Sequence, residues 1–119
     1  MKRYIKTTFT DDIFAIANLY PKRTGLPVII WVDNLGSARN VEHNLPRVKV
    51  QNIPGDKAVD DTFELSISLD PKILSGTCKL NRKTKQIVFD YIREHFDDFM
   101  EHWNQEIDED DLKERLYVK

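Results

Sequence analysis

The chain predicts an α+β fold: a small, mostly antiparallel sheet of about four to five strands packed against a long C-terminal helix, with a short N-terminal helix. Three patterns carry this expectation. Phe63, Leu65, Ile67 and Leu69 alternate with Glu64, Ser66 and Ser68, the period of a half-buried strand. Val88, Ile92, Phe96, Phe99 and Trp103 recur every three or four residues, the stripe of a helix that faces a core. Pro27–Val32 is continuously apolar, which suits a strand buried on both faces.

The elements follow in order. Residues 2–9, rich in β-branched and aromatic side chains, read as a short first strand. Thr10 caps a helix with Asp11 and Asp12 in its first turn, Ile13, Phe14, Ala17 and Tyr20 as its stripe, and Pro21 as its stop. Lys22–Gly25 is a basic turn. The apolar strand comes next, broken by Asp33–Gly36, and residues 37–46 are polar and irregular. Arg47–Gln51 alternates, which turns Val48 and Val50 inward and Arg47, Lys49 and Gln51 outward. Pro54-Gly55 fits the centre of a type II turn. After the Phe63–Leu69 strand, Ile73–Leu80 reads as another, with Ser75-Gly76 as a bulge or turn inside it. Asn81 caps the dominant helix, about 82–106, with Ile87, Tyr91 and His95 widening its stripe. Asp108–Leu116 reads as a short acidic helix that docks through Leu112, Leu116 and Val118.

The length of 119 residues suits a single domain, 1–119, with an acidic C-terminal helical segment at 107–119. Cys78 has no partner for a disulfide, which points to a reducing cytoplasm. The longest apolar-rich run, Leu26–Val32, falls far short of the roughly 20 residues that span a bilayer. Thr7, Thr8, Asp11 and Asp12 interrupt any signal-peptide core. The expectation is a cytoplasmic domain with no membrane partner. Its net charge of −2 conceals a split. Residues 1–85 carry 14 basic and 9 acidic side chains, whereas residues 86–119 carry 4 and 11.

That split directs attention to cations. Lys79, Arg82, Lys83 and Lys85 crowd the start of the long helix, where positive charge opposes the macrodipole, and acidic residues crowd its other end. Free N–H groups and four cations suit an anion or an acidic partner; ordinary solvated surface charge is the alternative. Arg47 and Lys49 project from one face of their strand and, with Arg39, form a second basic set. No aromatic is interleaved with them, so they suit phosphate contact without base stacking. His95, Asp98 and His102 could share one helical stripe as a metal set, though partly buried packing explains the two histidines as well. His43 beside Glu42 is an acid/base couple with no nucleophile to serve. Trp31 and Trp103 read as core, and Cys78 as a small filler. There is no Gly-rich phosphate loop, no paired Cys and no Gly-x-Ser-x-Gly, so no cofactor is expected.

The pieces Pro27–Val32, Glu42-His43, Leu45–Val50, Phe63–Leu69, Ile73–Gly76 and Val88–Trp103 stand in a recognisable order. Over about two-thirds of its length the chain resembles a family of short bacterial proteins, domain of unknown function 4160. Where that family carries a His-Val-His segment, this chain has Arg47-Val48-Lys49, so no role of the His pair carries over. The resemblance implies a sheet-plus-helix fold and an association with paired genes of toxin–antitoxin type.

These readings lead to a non-enzymatic interaction protein that binds a protein partner, or itself, through a charge-segregated surface. The alternative is a nucleic-acid-binding factor contacting phosphates through Arg39, Arg47, Lys49, Arg82 and Lys83. A third reading is a small enzyme using His43 or the His95–Asp98–His102 set.

Overall fold

The computed structural model describes residues 17–34 and 45–118. Five strands pair there: β1 (Ala17–Leu19), β2 (Ile30–Val32), β3 (Arg47–Gln51), β4 (Thr62–Ser66) and β5 (Ile73–Gly76). They form one antiparallel sheet in the order β1-β2-β3-β4-β5. The helices are α1 (Pro21–Thr24), α2 (Arg82–Glu94), α3 (Phe96–Trp103) and α4 (Glu109–Leu116). The fold is α+β, as the alternation and the helical stripe predict. The strand read over residues 2–9 and the helix start at Thr10 lie outside the described residues.

Strand alternation gives the sheet two unlike faces. Ile30, Val32, Val48, Val50, Phe63 and Leu65 point one way and bury against Val88, Ile92, Phe99, Trp103, Leu112 and Leu116. Removal of this apolar surface from water is the main stabilising term. The opposite face carries a row of directly paired residues: Asn18, Trp31, Lys49, Glu64 and Ser75. β2 is buried on both faces, as its unbroken apolar run requires.

Several boundaries differ from the sequence pattern, each for a local reason. Ala17–Leu19, read as the end of a helix, is a strand, because Ala17 and Leu19 alternate inward and pair with Val32 and Ile30. The short N-terminal helix lies later, with Pro21 opening it and Gly25 closing it at φ +84°. Proline at a first helical position forfeits no intrahelical bond, so it can start a helix as well as stop one. Gly55 takes φ +112°, as the predicted turn needs a positive φ there. β4 ends at Ser66, and Leu69 is 64% exposed. β5 ends at Gly76, and Thr77–Leu80 is not strand. There the Asn52 side chain takes over the ladder's work: its Nδ2 donates to the Thr77 carbonyl and its Oδ1 accepts from the Lys79 N–H. Ile87 and Val118, read as packing residues, are exposed, although the Val118 N–H still ties the tail to the Arg23 carbonyl.

The long helix is interrupted only at His95, which takes φ −108°, ψ 25° while the backbone ladder continues through it. Asn81 caps α2 by accepting from the Thr84 N–H. The helix stops at Trp103, three residues early, in a Schellman turn. Gln105 sits at φ +65°, its N–H bonds to the His102 carbonyl, and the Glu106 N–H reaches the Glu101 carbonyl. A left-handed non-glycine residue costs about 1 kcal/mol, so Gln105→Gly is expected to raise stability by about 0.5–1 kcal/mol in urea unfolding. Asp108 then caps α4 in a capping box with Asp111. The acidic cluster at the end of the predicted long helix is therefore largely the start of a new helix, where anions are favourable.

Candidate functional site

The polar face of the sheet is organised by two side chains that follow from β3. Gln51 is fully buried although its alternation turns it away from the helices, because the connection 52–61 folds over it. Its Nε2 donates to the carbonyls of Ile53 (2.7 Å) and Lys57 (2.9 Å), and its Oε1 accepts from the Val59 N–H (2.8 Å). Asn52 fixes the far end of the same connection. Its backbone N–H donates to the Asp61 carbonyl and its Nδ2 to the Asp61 carboxylate. That bond, with the Lys79 ammonium at 3.1 Å, holds the Asp61 carboxyl below its ordinary range.

The folded-over connection forms one wall of a cleft of about 220 Å³ lined by Trp31, Lys49, Ala58, Val59, Asp60 and Thr62. Trp31 is only 9% exposed, in keeping with its reading as buried, but it lies on the polar face directly across from Lys49. Along the sequence no aromatic is interleaved with these cations. The β2–β3 register supplies one, and a continuous apolar run does not reveal which face each of its residues takes.

Beside the cleft, Asp33 follows β2 and Arg47 opens β3. Burial is the main influence on the Asp33 carboxyl and lifts it from 3.8 to about 6; Lys49 and Arg47 pull it down and Glu64 pushes it up. One carboxylate oxygen, Oδ1, is buried without a hydrogen-bond partner among the described residues. The folded chain thus holds a proton that the unfolded chain releases between about pH 4 and 6. Asp33 therefore favours folding most below pH 4, and that contribution is lost as pH rises through 6. Asp33→Asn is expected to raise stability at pH 7, on the order of 1 kcal/mol after discounting for its partial exposure. The same variant should flatten the fall in stability between pH 4 and 6, read by urea unfolding across that range.

The sequence-predicted cations separate into occupied and unoccupied groups. Arg47 is not a surface charge: its side chain is 11% exposed. Its guanidinium lies 5.6 Å from the Trp103 ring centre and donates to the Leu45 carbonyl, with Glu64 at 3.8 Å. Lys79 pairs with Asp61, and Lys85 lies over the Phe89 ring. Lys49, Arg82 and Lys83 make no ion pair among the described residues. Arg39, Glu42 and His43 lie outside the described residues. Arg47 opens β3, and Asn52, just past the strand's end, holds the Lys79 backbone.

The histidine set does not assemble. His95 Nδ1 lies 3.3 Å from Asp98, whose other oxygen is taken by Arg115 of α4 at 3.1 Å. His102 is buried, and its Nε2 has no hydrogen-bond partner among the described residues. Desolvation pushes its imidazole below the usual value against the pull of Glu109 and Asp108. Seven residues of helix put about 10 Å of rise between His95 and His102, too much for both rings to reach one ion. Among the described residues no three His, Cys, Asp or Glu side chains converge to hold a metal. Cys78 is free and half-buried against the core, and no described helix is long and apolar enough to cross a membrane.

Arg115 also bonds Glu101, so α4 docks on α3 and not on the basic start of α2. No protein-family model matches the chain, and no curated protein or solved structure shows significant similarity to it.

Proposed function

We propose that this protein is a non-enzymatic interaction module of the cytoplasm that binds a protein partner through its charge-segregated surface. One observation carries the reading. Arg82 and Lys83 stand exposed in the first turn of α2, against its dipole and outside any ion pair among the described residues. The chain's own acidic α4 is turned to α3 instead. Charge left uncompensated at a cost to the helix is charge available to a partner, and complementary potentials steer encounter and set specificity. The partner's matching surface is acidic. The free Cys78 fits a reducing compartment. The resemblance to the domain of unknown function 4160 family adds a setting, paired genes of toxin–antitoxin type, in which the partner is encoded alongside.

Double charge reversal, Arg82→Glu with Lys83→Glu, tests this in the full chain. Co-purification with the neighbouring gene's product should fall at least tenfold, while thermal stability holds or rises as the clash with the dipole is relieved. If stability rises and every interaction survives, the reading fails. Filter binding of RNA and DNA at low salt separates the nucleic-acid alternative, whose affinity should collapse as salt rises.

A further inference from the structure

The cleft over Trp31 has the features of a small-molecule site that the proposed partner surface does not use. Trp31, Ala58 and Val59 supply its apolar lining. Four of the lining residues carry polar side-chain groups: Lys49, Asp60, Thr62 and Trp31. Among the described residues none of the four makes a side-chain hydrogen bond or close ion pair, and the Lys49 charge acts on the neighbouring Asp33 carboxyl only through space. An apolar lining with a few unspent polar groups is the usual composition of a ligand pocket. At about 220 Å³ the cleft is smaller than the roughly 300–1,000 Å³ of sites for drug-sized molecules. It has room for a group the size of one amino acid.

The wall that carries Asp60 is held in place before any ligand arrives. Val59 is pinned by its N–H to Gln51, and Asp61 by two bonds to Asn52. Between them the Asp61 N–H closes on the Val59 carbonyl at 2.9 Å, which leaves Asp60 at the apex of a three-residue turn. A preformed wall lowers the ordering cost of binding.

We propose that this cleft binds a free α-amino acid with an apolar side chain. The ligand's carboxylate is recognised by Lys49, assisted by the donors of Trp31 and Thr62, its ammonium by Asp60, and its side chain covers the indole between Ala58 and Val59. The opposed charges select this chemistry. A phosphate or a simple carboxylic acid meets repulsion from Asp60, and an amine without a carboxylate meets repulsion from Lys49. Few atoms make contact, so affinity is modest, with a Kd of about 0.1–1 mM.

The test is a titration of the 15N-labelled full chain, following the Trp31 indole N–H resonance assigned by its loss in Trp31→Phe. Three probes are compared: L-leucine, N-acetyl-L-leucine, which lacks the ammonium, and L-leucinamide, which lacks the carboxylate. Leucine should give a saturable shift, and both blocked forms should bind about tenfold more weakly or worse. Lys49→Met and Asp60→Asn should each weaken leucine by a similar factor while their spectra stay dispersed. Neither side chain belongs to the Gln51 and Asn52 network, so both variants should fold. No saturable shift at about 20 mM leucine overturns the proposal. So do equal affinities for the three probes, or leucine binding that survives both variants. Full binding of N-acetyl-leucine also overturns it and would reassign the cleft to a chain's C-terminal residue. The charge-reversed Arg82 and Lys83 variant should bind leucine normally, so this proposal and the partner surface fail separately.

Discussion

Gln51→Leu is expected to lower stability by about 3–5 kcal/mol, the largest loss from any single uncharged polar residue described here. The substitution keeps bulk and removes three hydrogen bonds at once. It leaves the carbonyls of Ile53 and Lys57 and the N–H of Val59 facing an aliphatic side chain. Each buried group left unpaired costs about 1–3 kcal/mol, partly recovered where the exposed outer side of the connection admits water. The denaturant slope should be unchanged, since the sheet and helices persist, so the effect should appear as a shift of the urea midpoint. A second readout distinguishes local from global damage. The Trp31 indole resonance should move even well below the midpoint, because the wall that Gln51 holds against it has loosened.

Gly76→Ala should cost about 2–4 kcal/mol through two separable causes. Gly76 sits at φ +80°, and a Cβ there would lie 3.0 Å from Phe63 Cα and 3.1 Å from the Thr62 carbonyl oxygen. Both contacts are backbone of the adjacent strand, which cannot swing aside as a flexible side chain would. Gly55→Ala is the control: its φ is +112° but nothing lies within 4 Å of the added carbon. That variant should lose only the conformational part, about 1 kcal/mol. The difference between the two midpoints measures the close approach of β5 to β4. Equal losses would show that β5 can retreat without penalty.

Periodicity made much of this legible in the sequence. The Val48 and Val50 alternation, the Val88–Trp103 stripe, the Asn81 cap and the Leu112 and Leu116 docking pair are local patterns, and each reflects a repeat of 2.0 or 3.6 residues. The candidate site was less legible because its defining contacts are not local. Gln51 reads as one more outward polar residue until 52–61 is known to fold over it. Trp31 is buried, as its apolar run predicts, but only the β2–β3 register shows that it lies across from Lys49. Arg47 reads as a free cation until α3 brings Trp103 beneath it. Asp60 carries no pattern at all; only the hydrogen bonds on either side give it a fixed position.

The shape of β5 bears on how molecules of this protein meet at high concentration. An outermost strand normally offers its unsatisfied N–H and C=O groups to a neighbouring chain, and Ile73 and Leu74 would make such stacking favourable. Here the strand is four residues long, the register slip leaves Leu74 unopposed, and the left-handed Gly76 turns the backbone away at its end. Too little flat template remains for a fibril to extend. Concentrated solutions should therefore resist β-aggregation, and replacing Gly76 carries a second hazard: a straighter β5 would become a seed.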